Sequence, residues 1–102
     1  MTHTTTVEDR VNSGSYESVF ATLDITSLDN ANNEDFTPGT ELGLRNVYGV
    51  AVLGLENPES YVVQFDHLAG NALYVEGYGG TDPTATTDVG EVRIRVDGDA
   101  AP

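Results

Sequence analysis

Two histidines are the residues of this chain best suited to acid–base or metal chemistry. His3 and His67 lie 64 positions apart, and neither has a second histidine at the spacing of a helical metal site. The chain has no cysteine that could supply a thiolate ligand. His67 follows Asp66 in a turn-like segment, and we interpret it as a solvated loop residue. The sequence therefore predicts no catalytic residue, no metal site and no cofactor.

Carboxylates and amides are dense in the loop from Asp29 to Asp35 (DNANNED), and their oxygens could bind a cation. The D-x-[DN]-x-[DN]-G spacing of a calcium-binding loop is absent. Specific calcium binding and weak exchange of hydrated salt cations are both left open. The glycines of residues 77–80 (GYGG) lack the G-x-G-x-x-G spacing of a phosphate-binding turn, and we interpret them as loop.

Arg93 and Arg95 alternate with apolar residues, so a strand would place both guanidinium groups on one face, ~7 Å apart. One hypothesis pairs them with acids of a neighbouring strand, such as Glu76. The other hypothesis is a contact with a second subunit or a capsid. Two arginines cannot offset the acidic charge of the whole chain at a phosphate backbone, so no direct nucleic-acid binding is expected.

Tyr74 and Tyr78 are the second candidate surface, because they share the period of a strand with Glu76. Tyrosine buries a large area and keeps a polar tip, which suits a protein contact or stacking on a sugar ring. They could equally cover the second face of a sandwich. Arg93, Arg95, Tyr74 and Tyr78 are thus the candidate interface residues.

The charge is extreme: 17 acidic residues, four arginines and no lysine give a formal net charge of −13 on 102 residues. The acids are spread along the chain, and the longest acidic run is two residues, which excludes a disordered acidic tail. Such a protein repels itself unless salt screens it. The composition favours adaptation to brine, and a DNA mimic with its carboxylates on one face is the alternative.

Hydrophobic periodicity predicts an all-β fold, a single antiparallel β-sandwich or small barrel of about five to seven strands. Alternation marks a half-buried strand in residues 17–26, a hairpin in 61–78 and a closing strand in 92–97. Residues 29–39 have loop composition. Residues 42–55 are apolar in both phases, which predicts a central strand covered on both faces, and Gly49 and Gly54 suggest a bulge or bend in it.

The chain length corresponds to one domain. Residues 1–15 are predicted to be a polar N-terminal arm that orders against a partner, 16–99 the β-sandwich domain and 100–102 a short tail. No apolar run approaches the ~20 residues of a membrane span. The polar start also lacks the apolar core of a secretion signal.

The run from Asn46 to Gly80, followed by Val89 to Asp99 (VGEVRIRVDGD), resembles small capsid-associated proteins of tailed double-stranded DNA viruses. In those proteins a "y-v-v-x-y-D" strand, a "g-N-x-l-x-v" return strand and a final "v-x-v-x-v" strand follow one another. The resemblance covers about half of the chain and supplies no catalytic residues.

The resemblance implies a non-enzymatic decoration or cement subunit that binds the capsid of a virus of haloarchaea and stabilises its lattice. Its partners would be the major capsid protein or other virion proteins. It would form a homo-oligomer and be located in the virion, which is assembled in the host cytoplasm. Two alternatives remain: a haloarchaeal carbohydrate- or ligand-binding β-module that uses Tyr74 and Tyr78, and an acidic DNA-mimic inhibitor.

Overall fold

Seven strands and one short helix make up residues 3–101, the part of the chain that this computed structural model describes. They are β1 (His3–Ser13), β2 (Tyr16–Ile25), β3 (Asn33–Asp35), α1 (Pro38–Leu42), β4 (Leu44–Leu55), β5 (Tyr61–Phe65), β6 (Ala72–Gly77) and β7 (Gly90–Ala100). The strands form two antiparallel sheets with orders β1-β2-β7-β4 and β3-β6-β5, which confirms the all-β class. The ends of the predicted arm and tail, Met1, Thr2 and Pro102, lie outside the described residues.

One apolar core fills the space between the two sheets. Every second residue of the central strands points into it, as the alternation predicts. Its strand residues are Val19, Ala21, Leu23 and Ile25 of β2, Leu44 and Val50 of β4, Val63 and Phe65 of β5, Leu73 and Val75 of β6, and Val92, Ile94 and Val96 of β7. Burying one such valine or leucine side chain is worth ~1.5–3 kcal/mol, so this cluster is the main source of stability.

The predicted N-terminal arm is instead the edge strand β1. It pairs with β2 from His3↔Ile25 to Ser13↔Tyr16, through a turn in which Gly14 has a φ of 67°. The polar composition predicted an arm because it gives no sign of a buried face. Both faces of an edge strand can meet solvent, and most residues of β1 are exposed. At the other end, β7 extends to Ala100, so the first residue of the predicted tail belongs to the sheet.

β4 is an edge strand, and the prediction that residues 42–55 form a central strand is wrong. The middle position belongs to β7, which pairs with β2 on one side and β4 on the other. The register of β4 against β7 shifts three times, including at Gly49 and Gly54, which confirms the predicted bulges. Because each extra residue reverses the alternation, apolar side chains occupy both phases of the sequence without covering both faces.

The small sheet contains the predicted hairpin, in which β5 and β6 pair from Tyr61↔Gly77 to Phe65↔Leu73. The predicted loop 29–39 also holds β3, which extends this sheet, and the start of α1. Pro38 begins α1, and Gly43 ends it in the left-handed conformation with a φ of 71°. None of the helical structure in residues 3–101 has the length and apolarity to cross a membrane.

Candidate functional site

Arg93 and Arg95 lie on the outer face of β7, in the middle of the four-stranded sheet. Their side chains are 52% and 46% exposed. Their cross-strand neighbours on β2 and β4 are uncharged. We call this surface the arginine face, and it comprises Arg93, Arg95, Phe20, Thr22, Ala51 and Gly54. It carries two of the four arginines of a protein of net charge −13.

Each of the two arginines has a partner in its own chain. Arg93 donates from Nε to Thr22 Oγ1 at 2.7 Å, and its Nη2 lies 4.0 Å from Glu8 Oε1. Arg95 donates from Nε to Asp97 Oδ1 and from Nη2 to Asp97 Oδ2, both at 3.1 Å. The acids that face the arginines are thus Glu8 and Asp97, not Glu76, which lies on β6 of the other sheet. Exposed pairs of this kind contribute little to stability and exchange readily.

Acids at one end of the arginine face have lowered pKa values. Burial acts to raise the pKa of Asp97, but hydrogen bonds from Arg95 and Ser18, together with the charge of Arg95, outweigh it and lower that pKa. The pKa of Asp99 is lowered by hydrogen bonds from Asn46 Nδ2, at 2.9 Å, and Tyr48 Oη, at 2.7 Å. The ionised form of both carboxylates is therefore the form that the fold favours.

Tyr74 lies on the outer face of the small sheet, in one cross-strand row between Asn33 of β3 and Gln64 of β5. Its side chain is 39% exposed. It borders an open hollow of about 320 Å³, which is lined by Gln64, Phe65, Asp66, His67 and Tyr74. An aromatic ring flanked by two amides can present a stacking surface together with hydrogen-bonding groups.

Tyr78 does not belong to this row. It follows β6 in a turn, where its backbone N–H donates to the Ser60 carbonyl at 2.9 Å. Its side chain is 69% exposed and lines a separate hollow near Thr81 and Pro83. The structure thus places Tyr74 and Glu76 on the exposed side of β6 and Tyr78 beyond its end, so the two tyrosines do not form one strand strip.

His67 is exposed, and its ring covers the free edge of β4. Its Nε2 accepts a hydrogen bond from the Val50 backbone N–H at 3.1 Å. The edge of the ring packs against Phe65, with the ring centres 5.1 Å apart. His67 therefore satisfies a backbone donor at the point where the edges of the two sheets approach each other.

His3 is buried in a cluster that the sequence did not predict. Its Nδ1 lies 2.5 Å from Glu34 Oε2, and its Nε2 lies 2.7 Å from Glu41 Oε1. A carboxylate oxygen of Asp29 completes a group in which the ligand atoms of His3, Asp29 and Glu34 all lie within 4.8 Å of one another. We call His3, Asp29, Glu34 and Glu41 the His3 cluster. It joins β1, β3, α1 and the chain after β2.

The His3 cluster is largely buried and highly polar. The side chains of His3 and Glu34 are fully buried, and that of Glu41 is 13% exposed. Burial alone would lower the pKa of His3, but the hydrogen bonds and charges of Glu34 and Glu41 raise it. Burial raises the pKa of Glu34, against the hydrogen bonds from His3 and the Asp29 N–H. The cluster thus holds a proton more tightly than its separate groups would.

Sequence reasoning missed this cluster because its members are far apart in the chain. Glu34 and Glu41 lie 31 and 38 positions from His3, so no local spacing reveals them. The one signal in the sequence is the density of acids near Asp29, which indicates oxygen ligands and not a histidine partner.

Comparison with known proteins gives no match: no family model, no curated protein and no solved structure matches this chain.

Proposed function

We propose that this protein is a non-enzymatic structural subunit that docks on an acidic protein surface through the arginine face, as a decoration or cement subunit of a haloarchaeal virus capsid. The carrying observation is the position of Arg93 and Arg95, half exposed at the centre of a four-stranded sheet. A partner made for the same brine would present carboxylates, and guanidinium groups bind carboxylates with defined geometry.

Docking would replace weak internal pairs with pairs across the interface. The Glu8 contact of Arg93 is long, at 4.0 Å, and the Asp97 contact of Arg95 is solvent exposed. Arg93 can therefore turn toward an incoming carboxylate at low cost, whereas Arg95 must give up its two bonds to Asp97. Phe20, beside Arg95, adds apolar area that binding would bury. The rigid sandwich would then bridge neighbouring capsid subunits and hold them together.

The proposal is tested with capsids purified from a haloarchaeal tailed virus in molar KCl. Co-sedimentation should show saturable binding of the wild-type chain and loss of binding for the Arg93→Gln/Arg95→Gln double variant. Arg45→Gln is the matched control, because Arg45 is 53% exposed, contacts Asp99 at 3.7 Å and lies outside the arginine face. Equal binding by the double variant and the control would refute docking through this face.

Self-association is tested by light scattering in the same salt and again at low salt. A closed oligomer that holds in molar KCl and dissociates at low salt supports a subunit of a symmetric lattice. A compact monomer under both conditions contradicts both self-assembly and adaptation to brine.

A ligand-binding module is the second candidate, because Tyr74 lies between two amides at the edge of a hollow. If the protein is such a module, a soluble oligosaccharide should bind to the wild-type chain in molar KCl. It should not bind to the Tyr74→Ala variant. Tyr78→Ala is the control, since that ring lies outside the row. If no member of a panel of neutral and acidic oligosaccharides binds, this candidate is rejected.

A further inference from the structure

The arrangement around His3 fits a metal ion as well as a proton. Ligands of one tetrahedral Zn²⁺ ion stand ~2.0–2.2 Å from it and therefore ~3.3–3.6 Å from one another. The ligand atoms of His3, Asp29 and Glu34 lie within 4.8 Å of one another, so side-chain shifts of about 1 Å would bring them to one ion. The 2.5 Å separation of His3 Nδ1 and Glu34 Oε2 would widen as an ion replaced the proton between them.

A second observation concerns the far side of the imidazole. Metal-bound histidines usually donate their other ring N–H to a carboxylate, which fixes the tautomer and orients the ring. His3 Nε2 has such a partner in Glu41, at 2.7 Å. Glu41 is itself held by Thr5 Oγ1, at 3.1 Å, and by the Thr37 N–H, at 3.1 Å. With Nε2–H donated to Glu41, Nδ1 is the ring nitrogen that can bind an ion once the proton that it shares with Glu34 is released.

Glu34 is also oriented for coordination. Its Oε1 accepts the Asp29 N–H at 2.8 Å, which turns Oε2 toward His3. The packing of the Phe36 ring at 6.0 Å from the imidazole helps to exclude water. The carboxylates of Glu34 and Glu41 each contact one ring nitrogen of His3 in this largely buried site. A divalent ion would offset buried negative charge better than a single proton does.

We propose that His3 Nδ1, Glu34 Oε2 and the Asp29 carboxylate form a binding site for a divalent transition-metal ion such as Zn²⁺, with Glu41 as the carboxylate that orients His3. The imidazole ligand distinguishes this site from the weak oxygen sites that Mg²⁺ and Ca²⁺ prefer. The inference departs from the sequence prediction of no metal site. It is independent of the proposed docking function, because the cluster is buried and contains no residue of the arginine face.

The test is calorimetric titration of the chelator-treated full chain with Zn²⁺, in molar KCl with excess Mg²⁺. We expect one equivalent of Zn²⁺ to bind and to raise the unfolding temperature. Asp29→Asn should weaken binding more than tenfold, and Asp35→Asn should not. Asp35 is the matched control because it is an exposed acid of the same loop. Asp29 accepts a hydrogen bond from the Asp35 N–H, and Asp35 accepts one from Asn30 Nδ2. An asparagine at either position retains an oxygen that can accept the same bond.

Glu41→Gln tests the orienting role, since loss of such a carboxylate weakens metal binding about 10- to 100-fold. Imidazole ¹⁵N spectra should report Zn²⁺ on Nδ1 of His3 and leave His67 unchanged. Absence of stoichiometric Zn²⁺ binding overturns the proposal. Equal losses for Asp29→Asn and Asp35→Asn would also overturn it, because they would indicate diffuse attraction to an acidic surface. Unaltered binding by Glu41→Gln would overturn the orienting role.

Discussion

The His3 cluster and the arginine face place cationic groups against carboxylates in opposite environments. In the cluster, His3 and Glu34 are fully buried, and their contacts join four parts of the chain. On the arginine face, Arg93 and Arg95 are about half exposed and touch acids on the same sheet. Burial therefore decides the role of a charge pair. A buried pair is needed for the stability of the fold. The arginine of an exposed pair can leave its own acid and bind the carboxylate of a partner protein.

Removing one member of the buried His3–Glu34 pair should lower the unfolding free energy more than any other change considered. Glu34→Ala leaves His3 without its shortest contact inside the core, and such changes cost about 3–5 kcal/mol of unfolding free energy. Urea denaturation with a chelator present measures this cost. Glu76→Ala, at an exposed site on β6, is the control and should change the unfolding free energy by less than about 0.5 kcal/mol. Similar changes in unfolding free energy for the two variants would show that a buried charged residue matters no more than an exposed one.

A second prediction concerns the support beneath the arginine face. A Cβ at Gly98 of β7 would lie 2.0 Å from the Asn46 carbonyl oxygen, so Gly98→Ala must push β4 away from β7. We expect a loss of about 1–3 kcal/mol in the same denaturation experiment. Gly54→Ala is the control, because a Cβ there meets nothing within 4 Å. A stable Gly98→Ala variant would mean that β4 is free to shift.

A third prediction separates the two regions by salt. Raising KCl from 0.1 M to 1 M shortens the screening length from ~10 Å to ~3 Å. The wild-type chain should become more stable, because its net charge of −13 repels itself less. The cost of Glu34→Ala should stay constant across this range. The small effect of Arg93→Gln should fall toward zero. A Glu34→Ala cost that follows the salt concentration would show that water reaches the cluster.

The smallest expected effect is at acid pH on the arginine face. The pKa of Asp97 is lowered in the folded protein, so its ionised form stabilises the fold above the ordinary aspartate pKa of ~3.9. That contribution disappears as the pH falls through the lower pKa of the folded state. Thermal unfolding between pH 6 and pH 2 should therefore show a shallower acid decline for Asp97→Asn than for the wild type. Parallel curves would mean that the contacts of the Asp97 carboxylate with Arg95 and Ser18 contribute nothing.

Sequence reasoning worked where a pattern is local. Alternation located β2, the β5–β6 hairpin and β7, because each has one face in the core and one in solvent. It failed for β1, whose exposed threonines and charges give no period, and for β3, whose three residues are too few to show one. It placed β4 at the centre because bulges mix the two phases of that strand.

The candidate sites divide in the same way. The shared face of Arg93 and Arg95 follows from a spacing of two, and it is present. The acids that face them depend on which strands are neighbours, so Glu76 could not be distinguished from Glu8 in advance. The His3 cluster depends on contacts across 31 and 38 positions, which only the assembled fold brings together.

The central position of β7 has a consequence for synthesis. β1 and β2 are neighbours in the chain and can form a hairpin early, but β4 reaches the large sheet only through β7. Residues up to Ala100 must therefore leave the ribosome before β7 can pair fully with both β2 and β4. Until then, the core faces of β2 and β4 have no strand between them, and repulsion among the acids already made would help to keep nascent chains apart.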